Sequence, residues 1–126
     1  MRRTLVGLAF FALVMGTVYS QDDAQQPMPP GLRAISVTVD GQYIWLPSTI
    51  ILYAGETVRL RIENQDQLTP EGHGFAMPGL LPAPIALRPG EVREIEFTPE
   101  RPGVYRYFCH LHGEFHLSGQ VLVLSR

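Results

Sequence analysis

Short segments in which polar and apolar residues alternate, separated by proline and glycine, run through the chain from residue 32 onward. Six segments have the character of strands: residues 33–39, 49–53, 57–63, 91–97, 103–109 and 120–124. Strands that recur every 8 to 12 residues or so, with turn residues between them, are typical of antiparallel sandwiches and barrels. We therefore predict an all-β fold, a Greek-key sandwich or barrel of about seven to eight strands.

The first twenty residues have the composition of a signal peptide. Arg2 and Arg3 precede an apolar run over residues 5–18, and Ser20 stands at the expected cleavage point. The apolar run is short for a membrane span, which needs about 20 residues. We expect residues 1–20 to be removed, residues 21–31 to form a flexible leader and residues 32–126 to fold as one domain in the periplasm or outside the cell. No stable membrane anchor is expected after cleavage.

The charge of the chain argues against a nucleic acid partner. The sequence has no lysine, and its 10 basic residues face 12 acidic ones. Loss of Arg2 and Arg3 with the signal peptide leaves eight basic residues against the same twelve acidic ones, a formal charge of −4. Binding to nucleic acid requires a positively charged face, which this composition does not favour.

Cys109 is the single cysteine of the chain, so it cannot form an internal disulfide. A lone thiol in an oxidising compartment is vulnerable unless something occupies it, and a metal ion would do so. Strand alternation places Cys109 on the same face as Tyr105 and Tyr107, opposite Arg106. With Arg106 outside, Cys109 points inward at the end of a strand.

The four histidines of the chain are unevenly distributed, and three of them, His110, His112 and His116, lie within seven residues of Cys109. Cys109 and His112, three residues apart on a loop that leaves a strand, can direct a thiolate and an imidazole at one ion. His73 is the remaining histidine, and its loop can lie beside residue 109 in a sandwich. One thiolate with imidazoles suits copper or zinc. His110 is expected to point away from the ion as a surface residue.

Residues 103–112 and 119–123 resemble the final strand, ligand loop and closing strand of cupredoxins, and residues 73–75 resemble the segment with their upstream histidine. The similarity spans roughly residues 49–125. Within that family, the residues from 109 to 119 are similar to nitrosocyanin, the red copper protein. The resemblance implies one mononuclear copper ion per chain, held by His73, Cys109 and His112 with His116 as a possible fourth ligand.

The fourth ligand position has three readings. His116 binds the metal; or Leu117 faces it, because Leu117 stands where blue copper proteins carry an axial methionine; or the position is open to water or a small ligand. Nitrosocyanin has an upstream glutamate where this chain has His73, and Glu71 lies two residues earlier.

Copper held by a thiolate and imidazoles alternates between two oxidation states, which predicts one-electron transfer with a redox partner protein. The apolar residues between Phe75 and Ile85 are a candidate docking patch for that partner, or simply packed loop. A copper enzyme for nitric oxide or superoxide is the alternative if the fourth position is open. A copper carrier is less favoured, because only Met28 and Met77 remain after signal removal.

Overall fold

The computed structural model describes residues 31–126. The predicted signal peptide and the predicted leader up to residue 30 lie outside the described residues. Ten strands and one short 3₁₀ turn make up the regular structure of the described part. Among residues 31–126, no helix has the length and apolar character needed to cross a membrane.

Seven of the ten strands have five residues or more. They are β1 (Leu32–Val39), β2 (Gln42–Leu46), β3 (Thr49–Tyr53), β4 (Val58–Asn64), β7 (Val92–Phe97), β8 (Gly103–Tyr107) and β10 (Gly119–Leu124). The three shorter strands are β5 (His73–Phe75), β6 (Ile85–Leu87) and β9 (His116–Leu117), and the 3₁₀ turn spans Gly113–Phe115.

The strands form two main sheets and a separate pair. The larger sheet has the order β7-β4-β1-β2-β9, the smaller sheet has the order β3-β10-β8, and β5 pairs with β6. Strands β1 and β4 are parallel neighbours, as are β3 and β10, so the chain crosses between sheets rather than folding as simple hairpins. The predicted all-β sandwich is confirmed.

Alternation along the strands separates the core from the surface. On β4, Leu60 and Ile62 are fully buried, while Arg59 and Arg61 face outward and pair with glutamates on β7. Apolar side chains from both sheets meet in one core cluster, whose members include Trp45, Ile50, Leu52, Phe75, Leu87, Val121 and Val123. Burial of these apolar surfaces is the main force that holds the two sheets together.

Strand β8 has the predicted orientation. Tyr107 and Cys109 are fully buried, whereas Val104 is 68% exposed. Burial raises the pKa of Tyr107 to about 12, and its hydroxyl donates a hydrogen bond to the carbonyl of Pro47. Gly119 lies opposite Tyr107 in the sheet, where a Cβ atom would come within 2.2 Å of the tyrosine ring. Glycine is therefore needed at residue 119.

Two residues of the candidate docking patch between Phe75 and Ile85 are packed into the protein, in keeping with the alternative that this segment is packed loop. Phe75 is fully buried and Met77 is 1% exposed, and both belong to the core cluster. Strand β5 is buried along its whole length, so its side chains pack inward instead of facing a partner. Leu80, Leu81 and Ile85 are half-buried against the core.

Candidate metal centre

His73 is the first residue of β5, and the backbone around it is tightly constrained. Gly72 has a φ of +75°, and a Cβ atom there would lie 2.0 Å from the carbonyl oxygen of Leu87. Only glycine fits such a conformation and such a close approach. The pairing of His73 with Leu87 then fixes the imidazole inside the sandwich, where it is fully buried.

Cys109 follows β8, and two backbone hydrogen bonds between Ala76 and Phe108 hold its loop beside β5. The N–H of Gly74 donates a hydrogen bond to Cys109 Sγ at 3.1 Å. A Cβ atom on Gly74 would lie 2.3 Å from the ring of His110, so this approach also requires glycine. The two segments that carry His73 and Cys109 therefore meet, as the sequence predicts.

The four predicted ligand residues lie together in the structure. His112 Nδ1 lies 3.2 Å from His73 Nδ1 and 3.3 Å from Cys109 Sγ. The ligand atoms of His73, Cys109 and His116 all lie within 4.8 Å of one another, and these three residues are buried. His110 is exposed, with its ring beside Gly74.

A buried carboxylate holds the far side of the His73 ring. Asp66 Oδ2 lies 2.8 Å from His73 Nε2, and the two side chains are 2% and 0% exposed. Burial raises the pKa of the Asp66 carboxyl, but hydrogen bonds from Thr69, the Leu68 N–H and His73 outweigh burial and hold that pKa well below its usual value. Asp66 is therefore a negative charge inside the protein.

His112 has a carboxylate neighbour of a different kind. Its Nε2 lies 3.3 Å from Glu71 Oε1, and the Glu71 side chain is 62% exposed. The backbone N–H of Glu71 and then His112 lower the pKa of this carboxyl. The His112 side chain is itself 13% exposed, so this ligand candidate reaches the surface.

These contacts favour one tautomer for both rings. A carboxylate oxygen accepts hydrogen bonds and donates none, so Asp66 and Glu71 favour N–H on Nε2 of His73 and His112. Each Nδ1 then carries a bare lone pair, and the two lone pairs face each other across 3.2 Å beside the sulfur. Such a set of donors suits a cation, and soft sulfur with imidazole nitrogen suits copper or zinc. The residues present therefore fit a copper ion.

His116 is the first residue of β9 and pairs with Tyr43 on β2. Its Nε2 lies 3.0 Å from Ser36 Oγ, and Trp45 stacks on its ring at 5.6 Å between centroids. Burial lowers the pKa of His116 to about 4, so the imidazole is neutral at pH 7. Leu117, the next residue, is 50% exposed.

An aromatic side chain covers the cluster from the side of β2. The ring centroid of Tyr43 lies 4.9 Å from that of His73, 5.0 Å from that of His112 and 6.0 Å from that of His116. Trp45, two residues further on the same face of β2, donates a hydrogen bond from Nε1 to the Gly74 carbonyl at 3.2 Å. Strand β2 thus supports both the upstream loop and the candidate ligands.

Sequence reasoning missed the supporting residues, namely Ser36, Tyr43, Trp45 and Asp66. Asp66 gives a weak sequence signal, because aspartate side chains in turns often accept a hydrogen bond from the N–H two residues further on. The Leu68 N–H donates such a bond to Asp66 here. Ser36 occupies an inward position of β1, where a polar residue needs a partner. Neither signal identifies a metal site by itself.

The chain belongs to the cupredoxin-like family, because residues 7–123 match the model of the cupredoxin-like domain. Among curated proteins, none matches the sequence. The family and the buried cluster of histidine and cysteine together point to copper binding.

Solved structures of copper proteins share this fold at low sequence identity. The copper nitrite reductase of Nitrosomonas europaea has a TM-score of 0.65 at 18% identity over 76% of this chain and 41% of that one. Dithionite-reduced auracyanin from Roseiflexus castenholzii has a TM-score of 0.61 at 16% identity, over 76% of this chain and 98% of that one. The copper-containing nitrite reductase of Thermus scotoductus has a TM-score of 0.58 at 22% identity, over 76% of this chain and 27% of that one.

Proposed function

We propose that the chain is a periplasmic or secreted electron carrier with one mononuclear copper ion held by His73, Cys109, His112 and His116. One observation carries the proposal: His112 Nδ1 lies 3.2 Å from His73 Nδ1 and 3.3 Å from the buried Cys109 Sγ. Copper bound by this set supplies a one-electron couple between Cu(II) and Cu(I). The structural match with auracyanin, which has a similar fold, covers 98% of the auracyanin chain.

The described residues support fast electron transfer by holding the ligands still. His73 is fixed by β5 and Asp66, Cys109 by the Gly74 N–H, and His116 by the pairing of β9 with β2. A site that does not rearrange between oxidation states needs little energy to change state. The described residues therefore favour an electron carrier.

The exposed edge of His112 is the proposed point of electron entry and exit. The other three candidate ligands are buried, whereas the His112 side chain is 13% exposed. Leu111 and Phe115 on the same loop are 45% and 72% exposed, which provides apolar contact area around that edge. A redox partner protein would dock there and not on β5.

A copper enzyme that acts on a small molecule is the second candidate. A surface cavity of about 450 Å³ has His116 in its wall, together with Arg106, Phe108, Gly113, Glu114, Leu117 and Ser118. A small molecule in this cavity would approach the cluster from the His116 side. If His116 does not bind copper, this cavity is the route to an open position.

The test is a titration of the purified chain with Cu(II), followed by optical and paramagnetic-resonance spectra. We expect strong visible absorption from sulfur-to-copper charge transfer at one copper per chain. A colourless Cu(II) form would overturn the proposal. Azide added to the coloured form separates the two candidates. In an electron carrier with His116 bound to copper, azide should leave the spectrum unchanged, whereas an enzyme with an open position should bind azide and change its spectrum.

A further inference from the structure

The two imidazoles whose Nδ1 atoms lie 3.2 Å apart each have a carboxylate at Nε2, but in very different surroundings. Asp66 lies 2.8 Å from His73 Nε2 with 2% of its side chain exposed. Glu71 lies 3.3 Å from His112 Nε2 with 62% of its side chain exposed. The structure therefore contains the same chemical contact twice, once inside the protein and once at its surface.

Burial makes these two contacts unequal in strength. Water and salt screen an exposed charge, whereas a buried charge acts at full strength on its neighbours. The surface contact of Glu71 is the kind that contributes little. The Asp66 contact is not screened in this way.

Asp66 is also held in place more firmly than a surface carboxylate. Its Oδ1 accepts a hydrogen bond from the Leu68 N–H at 2.8 Å, and its Oδ2 accepts one from the Thr69 hydroxyl in addition to the contact with His73. Its own N–H donates to Asn64 Oδ1 at 3.0 Å. The carboxylate is thus built into the loop with its charge directed at one ring.

We propose that Asp66 is a positioning residue that sets a low reduction potential at the copper site. It keeps the proton of His73 on Nε2, so that the Nδ1 lone pair faces the metal, and it places a buried negative charge behind that ring. Both effects make His73 a stronger donor and stabilise Cu(II) more than Cu(I), because Cu(II) carries more charge. This inference rests on the proposed function, since it requires copper at His73.

The substitution Asp66→Asn probes both effects with little change of shape. An amide has one acceptor oxygen, so it cannot accept from both the Leu68 N–H and His73 Nε2–H. If its oxygen stays with Leu68, the amide NH₂ group faces His73 and drives the ring proton to Nδ1. The negative charge is lost in either arrangement.

The experiment compares the reduction potentials of the copper-loaded wild type, D66N and the matched surface variant E71Q. We expect D66N to shift the ratio of Cu(I) to Cu(II) affinity at least tenfold toward Cu(I), which is a rise of about 59 mV for a one-electron couple. E71Q should shift the ratio by less than about threefold, because its carboxylate is screened. Equal shifts in both variants, or no shift in D66N, would overturn the inference.

A second variant keeps the inference testable if D66N does not fold, which thermal unfolding of the metal-free chain would reveal. Thr69→Val removes the hydroxyl that shares Asp66 Oδ2 with His73. The carboxylate then interacts more strongly with the ring, so we expect the potential to fall. An unchanged or raised potential in T69V counts against Asp66 as the residue that sets it.

The outcomes separate this inference from the proposed function. A wild-type chain without copper–thiolate absorption removes both. A coloured wild type in which D66N behaves like E71Q removes this inference alone and leaves the electron carrier in place.

Discussion

The backbone N–H of Gly74 donates a hydrogen bond to Cys109 Sγ at 3.1 Å, joining two segments that are 35 residues apart in sequence. This contact makes Gly74 a partner of the sulfur as well as the neighbour of His73. An N–H hydrogen bond directed at the sulfur fixes the position of the atom that is proposed to bind the metal. The upstream loop therefore orients the sulfur toward the candidate ligands.

Replacement of Cys109 by serine should abolish the visible absorption of the Cu(II) form. Serine keeps the size of the side chain but offers no sulfur for charge transfer. The measurement is an optical titration with Cu(II) at pH 7. His110→Ala is the matched control, because His110 is exposed and adjacent, and its spectrum should equal that of the wild type. Retained colour in Cys109→Ser would show that another group binds the copper.

Replacement of His116 by alanine should change the visible and paramagnetic-resonance spectra and allow azide to bind. His116 is 2% exposed and belongs to the buried cluster, so its removal leaves a gap beside the metal. Leu117→Ala is the control, because Leu117 is 50% exposed and should leave both spectra unchanged. Were the two responses reversed, Leu117 would be the residue that faces the metal.

The metal-free chain should lose stability as the pH falls from 6.5 toward 4. Burial lowers the pKa of His116 from 6.5 to about 4, so between these values the unfolded chain binds a proton that the folded chain does not. The contribution of neutral His116 to the free energy of unfolding is fully present above pH 6.5, and its loss at low pH amounts to roughly 3 kcal/mol. Urea unfolding at several pH values measures it.

The matched variant for the pH experiment is His116→Gln, which has no titrating ring. Its stability should vary less between pH 6.5 and 4 than that of the wild type, whatever its stability at pH 7. Parallel pH profiles for the two proteins would contradict the assignment of this loss to His116.

Gly72→Ala should destabilise the chain far more than Gly55→Ala. Both glycines have positive φ, +75° and +82°, so alanine costs about 1–2 kcal/mol at either residue. At Gly55 a Cβ atom meets nothing within 4 Å, whereas at Gly72 it would lie 2.0 Å from the Leu87 carbonyl oxygen. The clash should add about 1–3 kcal/mol or more. Chemical denaturation of both variants measures the difference, and equal losses would refute the role given to this contact.

The longer strands could be predicted from sequence because their alternation and flanking turns are local signals. Strand β3 spans the predicted residues 49–53, and the predicted segment 120–124 begins one residue late, after Gly119. Strand β2 was missed, because Gln42 to Leu46 contains four consecutive apolar residues and no clear alternation. Strands β6 and β9 are too short for any periodicity to be visible.

The candidate ligands could be predicted because cysteine and histidine are rare in this chain, and their grouping is itself a signal. Asp66 and Ser36 could not, because aspartate and serine are common in turns and strands for many reasons. Their roles arise only when β1 and the loop after β4 meet the ligand residues in three dimensions. The sequence thus indicates the candidate ligands, and the fold shows which residues contact and orient them.

The pairing of Tyr43 with His116 between β2 and β9 anchors the far end of the ligand loop in the larger sheet. The loop between Cys109 and His116 is therefore tied down at both ends before any ion arrives. Copper binding should therefore require little rearrangement of the folded chain. A chelator should remove the ion and leave the domain folded, so that the metal-free protein binds copper again.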